Sequence, residues 1–238
     1  MSGIEAARSL SGVPCALAAA LLLAACSEPL ATELEPAAAV VGGAGFTDTF
    51  DNLNLERWLP SSHLLGRGYL LPENVSVAAG VLRLATRFDQ YTGAELSSLD
   101  RHGTGIFSAT LRCASPPGTL CAFFLYQTGV GNLADEIDVE VLPGTSEIMF
   151  TIWVAGRRTQ SARLKLGFNP AVGFHTYAIE RTTNELRFRV DGALKKTFRG
   201  RSKLPQAPMP VFLNSWWPTW LTPVNADGVL EVDQVTVR

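Results

Sequence analysis

The sequence predicts an all-β sandwich of two antiparallel sheets, and three observations carry that reading. Short runs with period-two alternation, rich in β-branched and aromatic residues, recur about every 8 to 15 residues from Phe46 onward. Turn-forming clusters such as "AAG", "SPPG", "LPG", "NPAVG" and "DG" separate them. No stretch of this region carries the 3.6-residue periodicity of a long amphipathic helix. About 190 residues of such sequence can bury a sizeable core without metal or cross-links, so one domain, residues 45–238, is expected.

The chain opens on an address. Val13 to Ala25, "VPCALAAALLLAA", is an apolar run of 13 residues. That is short of the roughly 20 that a membrane-spanning helix needs and suits the core of a signal peptide. The following "LAAC", Leu23 to Cys26, resembles the bacterial lipobox: residues 1–25 would be removed and Cys26 would carry lipid. An ordinary signal peptide cleaved nearby is the alternative. Either way the chain is expected to be exported, as a periplasmic or cell-surface lipoprotein or as a secreted protein. Residues 26–44 are rich in Ala, Pro, Glu and Gly and read as a flexible tether.

The strand-like runs then follow in order: "NVSVAAGVLRLATRF", "GIFSATLRC", "CAFFLYQ", "EIDVEVL", "EIMFTIWV", "FHTYAIERT", "ELRFRVDG", "VFLNSWW" and "VLEVDQVTVR". Between the second and third, Cys113 and Cys121 flank "ASPPGTL", a turn that could bring the two sulfurs together across a hairpin. In an oxidising compartment a disulfide is expected, and two buried thiols are the alternative. A C-x₇-C pair without a neighbouring His is a poor metal site. The chain carries 20 Lys and Arg against 22 Asp and Glu, with no basic run longer than Arg157-Arg158 or Lys195-Lys196, so nucleic acid is not an expected partner.

The run "LADEIDVEVLPG" concentrates Asp135, Glu136, Asp138 and Glu140 among Ile and Val. On a strand, Glu136, Asp138 and Glu140 share one face while Ile137, Val139 and Val141 take the other. A solvated outer face is the plainer reading, yet three like charges on one face repel and no Lys, Arg or Thr interleaves them. Retaining glycoside hydrolysis needs two carboxyl groups about 5–5.5 Å apart, one a nucleophile and one a proton donor. Four residues of strand separate the Glu136 and Glu140 Cα atoms by about 13 Å, which two Glu side chains reaching inward by ~3–4 Å each reduce to near that gap. Crowding raises at least one carboxyl pKa and keeps an acid protonated near neutral pH. Asp135 points to the opposite face, where an edge or buried partner is expected.

"DEIDVE" resembles the E-[IL]-D-x-E signature of glycoside hydrolase family 16, in the form found in lichenases and xyloglucan transglycosylases. "YTGAELSS", "CAFFLYQ", "LGFNPAVGFHTYAIE", "VDGALKK", "LNSWWPTWL" and "LEVDQVTVR" resemble family segments in the family's order, over roughly Phe46 to Arg238. The resemblance implies a β-jelly roll of the concanavalin A-like lectin and glucanase type, with a glycan cleft on its concave sheet. It implies Glu136 as nucleophile, Glu140 as acid/base and Asp138 as helper. Along the cleft it places Tyr91, Glu95, Phe124, Tyr126, Trp153, Asn214, Trp216 and Trp220. Alternation puts Asn214 and Trp216 on one face and Trp217 on the other, where core packing is expected. Asp233 and the Gly80 backbone resemble the family's structural calcium site, remote from the chemistry; catalysis itself is expected to need no cofactor.

Four positions depart from the lichenase pattern: Ala134 replaces an aromatic residue, Val141 a Phe, Ser97 an Arg and Thr151 a cleft Asn. They leave the two-carboxylate chemistry intact and the glucan open. The expected activity is a retaining endo-hydrolase of β-1,3- or β-1,3-1,4-glucan. The alternatives are a transglycosylase and a non-catalytic glycan-binding module, which has no need of a proton donor beside a nucleophile. A polysaccharide is the expected partner, the membrane is met only through the anchor, and the protein is expected to act as a monomer. His63, His102 and His175 are scattered without a Ser or Cys nucleophile beside them, which excludes a Ser–His–Asp reading.

Overall fold

In a computed structural model that describes residues 43–129, 131 and 133–238, the alternating runs form seventeen strands among the described residues. They begin with β1 (Phe46–Asp48), β2 (Trp58–Pro60), β3 (His63–Leu65), β4 (Gly68–Leu70), β5 (Val75–Ala78) and β6 (Val81–Thr86). Next come β7 (Ala94–Ser98), β8 (Gly105–Ala114), β9 (Leu120–Thr128), β10 (Ala134–Leu142), β11 (Glu147–Val154) and β12 (Arg157–Lys165). The last are β13 (His175–Arg181), β14 (Glu185–Val190), β15 (Ala193–Arg199), β16 (Val211–Trp216) and β17 (Gly228–Val237). The expected signal peptide, Cys26 and the tether as far as residue 42 lie outside the described residues.

Two large antiparallel sheets result. One has the order β15-β14-β13-β8-β17-β6-β5, with β1 also paired to β17, and the other has the order β12-β11-β10-β9-β16-β7-β2. The short β3–β4 pair stands apart from both. Every other side chain faces inward, which is why the runs alternate: Phe107, Phe123, Ile137, Phe150, Tyr177, Phe188, Leu213 and Leu230 are fully buried in one core. Phe150 of β11 stacks on Phe188 of β14 at 4.5 Å between ring centroids, so aromatic packing joins one sheet to the other. Each such ring contributes on the order of 2–3 kcal/mol through burial.

Cys113 and Cys121 form the expected disulfide, with the Cα atoms 6.1 Å apart. It does not close a hairpin, however. β8 belongs to the eight-stranded sheet and β9 to the seven-stranded one, so the Pro-Pro-Gly segment carries the chain across the sandwich and the bond links the two layers. Alternation explains the difference, because both cysteines lie at inward positions, 0% and 1% exposed.

Two local devices place the parts of the cleft. The β3–β4 hairpin turns at Gly66, whose φ of +64° and approach to the Trp217 carbonyl, 2.4 Å from where a Cβ would sit, admit no side chain. Arg67, next in the turn, donates to the carbonyls of Pro218, Thr219 and Leu221 and ties that hairpin to the loop after β16. Buried Arg181 donates to the carbonyls of His102, Pro205 and Ala207 and so fixes the approach to β16.

Candidate active site

The outer face of the seven-stranded sheet carries the acidic track. In β10, Ile137, Val139 and Val141 are 0–2% exposed in the core, and Glu136, Asp138 and Glu140 turn the other way. Strand register then sets their neighbours in rows. Glu140 stands between Ala122 and Met149, Asp138 between Phe124 and Thr151, and Glu136 between Tyr126 and Trp153. Two rows continue across β16 and β7: Asn214 and Glu95 lie beyond Ala122, and Phe212 and Ser97 lie beyond Phe124.

Apart from their β11 residues, these rows line an open cleft of about 560 Å³, together with Ser61, His63, Leu65 and Trp216. One wall is apolar: Phe124 and Phe212 stack with ring centroids 5.0 Å apart, and Tyr126 meets Phe212 edge-on at 5.7 Å. Sugar rings present C–H faces that lie on such platforms, while their hydroxyls need polar partners. Those lie in the next row of the sheet, where Asn214 Nδ2 donates to Glu95 Oε2 at 3.1 Å and His63 Nε2 lies 3.1 Å from Glu95 Oε1. The Asn214 side-chain oxygen, Oδ1, is buried and has no hydrogen-bond partner among the described residues.

Burial dominates the electrostatics of the acidic row. It pushes the Glu136 and Glu140 carboxyl groups up to about 7, with the charge of Glu95 adding to the rise at Glu136 and the charge of Glu136 to that at Glu140. Asp138 is raised well above the carboxylate range, by burial first and then by the two flanking glutamates. A protonated Asp138 donates a hydrogen bond to Glu136, which favours the ionised form of Glu136. The Trp153 side chain hydrogen-bonds Asp138 from β11 and opposes its rise. Glu136 and Glu140 therefore exchange protons near neutrality beside a raised Asp138, as a nucleophile beside a proton donor requires.

The structure brings together Glu95, Phe124, Tyr126, Glu136, Asp138, Glu140, Asn214 and Trp216 of the expected set. Trp153 stands beside Glu136 and acts on Asp138 instead of lining the cavity. Tyr91 is turned away, packed edge-on against Phe88 and Trp217 at 5.3 and 5.7 Å. Trp220 is 53% exposed on the loop clamped by Arg67, also outside the lining. Trp217 is in the core as expected, fully buried with its indole N–H donated to the Thr92 carbonyl. Asp135, on the other face, accepts from Gln127 Nε2 and from the Ala155 backbone N–H at 2.8 Å.

Sequence reasoning missed Ser61, His63, Leu65, Ala122 and Phe212. Phe212 had a signal, since it shares the parity of Asn214 and Trp216, and Ala122 shares that of Phe124 and Tyr126. The other three come from segments too short to show a period, and the hairpin that presents His63 is placed by contacts with distant residues.

The calcium expectation has a partial donor set. The β6–β17 register ends at Leu82↔Val232 and puts Asp233, at a bulge, beside the turn that holds Gly80, and the Thr49 carbonyl approaches Gly80. These are hard oxygen donors of the kind calcium takes, though far fewer than its six to eight ligands. Among the described residues no group of three or more His, Cys, Asp or Glu side chains is arranged to hold a metal.

A two-sheet β-sandwich with a paired-glutamate strand at the floor of an aromatic-walled cleft defines a glycoside hydrolase. Residues 71–235 match the family model of glycosyl hydrolases family 16, and the chain belongs to that family. It is 30% identical over 199 residues to a beta-glucanase of Bacillus licheniformis, covering 79% of this chain and 80% of the relative. A beta-glucanase of Bacillus subtilis is 30% identical over 212 residues, 82% of this chain and 86% of the relative. The solved structure of the Bacillus licheniformis beta-glucanase superposes with a TM-score of 0.73 and 26% identity, over 82% of this chain and 98% of that one.

Proposed function

We propose that the chain is a retaining endo-hydrolase of β-1,3- or β-1,3-1,4-glucan. The observation that carries this reading is the shared face of Glu136, Asp138 and Glu140 beneath an aromatic-walled cleft, in a chain whose relatives are named beta-glucanases. Glu136 attacks the anomeric carbon while Glu140 gives its proton to the leaving oxygen. The bond to the leaving sugar breaks and a glycosyl ester forms on Glu136. Glu140, now ionised, takes a proton from water, whose oxygen attacks the same carbon and frees Glu136. Asp138 keeps its proton and steadies the Glu136 carboxylate whenever that is free.

The charge of the cleft supports a neutral substrate. Glu95, Glu136, Asp138 and Glu140 line it, and His63 alone of the lining residues can carry a positive charge. A sulfated or uronic polymer would meet net repulsion there. The open cleft lets a long chain enter at internal positions, which fits an endo mode. The reading also includes export with lipid on Cys26, action as a monomer, and a structural calcium held by Asp233 with the Gly80 and Thr49 carbonyls. Loss of thermal stability in a chelator, restored by added calcium, would support that last element.

The test compares wild type with Glu136→Gln on barley mixed-linkage glucan, laminarin, xyloglucan, agarose and carrageenan. Reducing ends should appear from one of the first two, with the β-anomer formed first, and the variant should release none. Chain-length redistribution without new reducing ends would mark a transglycosylase instead. Full turnover by Glu136→Gln would remove the proposed nucleophile.

A further inference from the structure

The structure assigns His63 as a positioning residue: its hydrogen bond holds Glu95 against Asn214 and so fixes the Asn214 side-chain amide beside the cleft, with Nδ2 committed to Glu95 and Oδ1 left for a hydroxyl donor. This rests on the glucan-hydrolase reading. Both ring nitrogens of His63 face oxygen acceptors, Nδ1 the Leu64 carbonyl at 3.2 Å and Nε2 the Glu95 carboxylate at 3.1 Å. Its partner Glu95 is only 5% exposed, and a carboxyl group buried to that extent needs hydrogen-bond partners.

Among the described residues the lining offers no other basic side chain: Ser61 and Ser97 are neutral, and its remaining ionisable groups are Tyr126, Glu136, Asp138 and Glu140. Asn214 supplies one neutral donor to Glu95, through Nδ2. With that amide nitrogen committed, the Asn214 Oδ1 atom is left buried and unpartnered at the cleft, which is what a hydroxyl donor would satisfy. Removing His63 leaves Glu95 with one donor and frees the Asn214 amide to turn. Packing does not demand a histidine here, since the His63 side chain is 48% exposed. Its place is set by the Gly66–Arg67 turn, independently of the imidazole.

The test is a steady-state comparison on the preferred β-glucan, with melting temperatures for every protein. His63→Ala should raise KM about tenfold, the effect of losing one hydrogen bond to a buried carboxyl group, with kcat within about threefold and the melting temperature unchanged. A donor returned by either of two routes should restore KM to within about threefold. One is His63→Lys. The other adds Ser97→Arg to His63→Ala, because Ser97 lies two residues beyond Glu95 on the same strand face and also lines the cleft. A KM unmoved by His63→Ala, or one that neither donor restores, overturns the assignment. A wild type that cleaves no glucan would instead sink the hydrolase reading. In that case the affinity of a mixed-linkage tetrasaccharide for wild type, His63→Ala and His63→Lys, measured by calorimetry, decides the role of His63 by itself.

Discussion

Glu136 and Glu140 leave β10 on the same face, two alternations apart, with buried Asp138 between them and the apolar core directly behind. That spacing allots the two glutamates different tasks, and leaving-group chemistry separates them. On polysaccharide, Glu140→Gln should lower kcat by roughly 10²–10⁴-fold, the usual loss of a general acid. On an aryl glycoside with a good leaving group, the first step needs no proton, so the burst of released phenol should survive in Glu140→Gln. Glu136→Gln should lose both activities. A stopped-flow trace without a burst from Glu140→Gln would reverse or void the assignment.

The raised carboxyl groups make both activity and stability depend on pH near neutrality. Activity needs Glu140 protonated, so kcat/KM should fall as pH rises through about 7. For stability, Glu136 and Glu140 sit higher in the folded protein than when unfolded, so the folded state binds more protons. Their neutral forms stabilise fully below the ordinary carboxylate range, and that contribution is lost as pH rises from about 4.5 through about 7. Glu140→Gln keeps a neutral group throughout. Its melting temperature should therefore exceed that of wild type at pH 8 by an amount worth on the order of 2–3 kcal/mol and should match it at pH 4.5. Parallel melting curves across that range would refute the burial argument.

Much of this was legible in the sequence, for a definite reason. Period-two alternation is a local property, and it marks which residues of β10 and β16 face outward before any pairing is known. Ile137, Val139, Glu136, Asp138 and Glu140, together with Asn214, Trp216 and Trp217, fall where alternation puts them. What was not legible depends on which strands become neighbours. The disulfide was expected across a hairpin because the turn between the cysteines is visible, whereas the assignment of β8 and β9 to different sheets is not. Tyr91 takes a positive φ of +52° within a turn, and that backbone reversal directs its ring into the Phe88–Trp217 cluster. His63 joins Glu95 across 32 positions of sequence, a pairing no local pattern contains.

Trp216 and Trp217 are adjacent in sequence and opposite in consequence. Trp216 lines the cleft, so Trp216→Ala should raise KM for glucan with little change in melting temperature. Trp217 is fully buried, its N–H donated to the Thr92 carbonyl and its ring against Tyr91 and Phe88. Trp217→Ala should cost about 3–5 kcal/mol of stability while the folded fraction keeps its KM. Chemical denaturation alongside steady-state kinetics would separate the two, and equal losses of stability would show that both indoles are framework.

The Cys113–Cys121 bond closes a short loop, yet it ties the edge of the cleft floor to the opposite layer. Cys121 is the register partner of Val141 at the far end of β10 and of Ser215 on β16, within two residues of Glu140 and of Asn214. Closing a loop of 8 residues removes unfolded-chain entropy worth about 2–3 kcal/mol. The double variant Cys113→Ala/Cys121→Ala should lose stability of that order in urea. Because the hydrogen-bonded rows of β9, β10 and β16 are independent of the sulfurs, KM and kcat of the remaining folded protein should stay within about twofold. Reduction of wild type with a thiol should give the same stability loss. If reduction instead abolished activity while the protein stayed folded, the bond would be holding the catalytic row in place, and the independence of those rows from the sheet-to-sheet link would be lost.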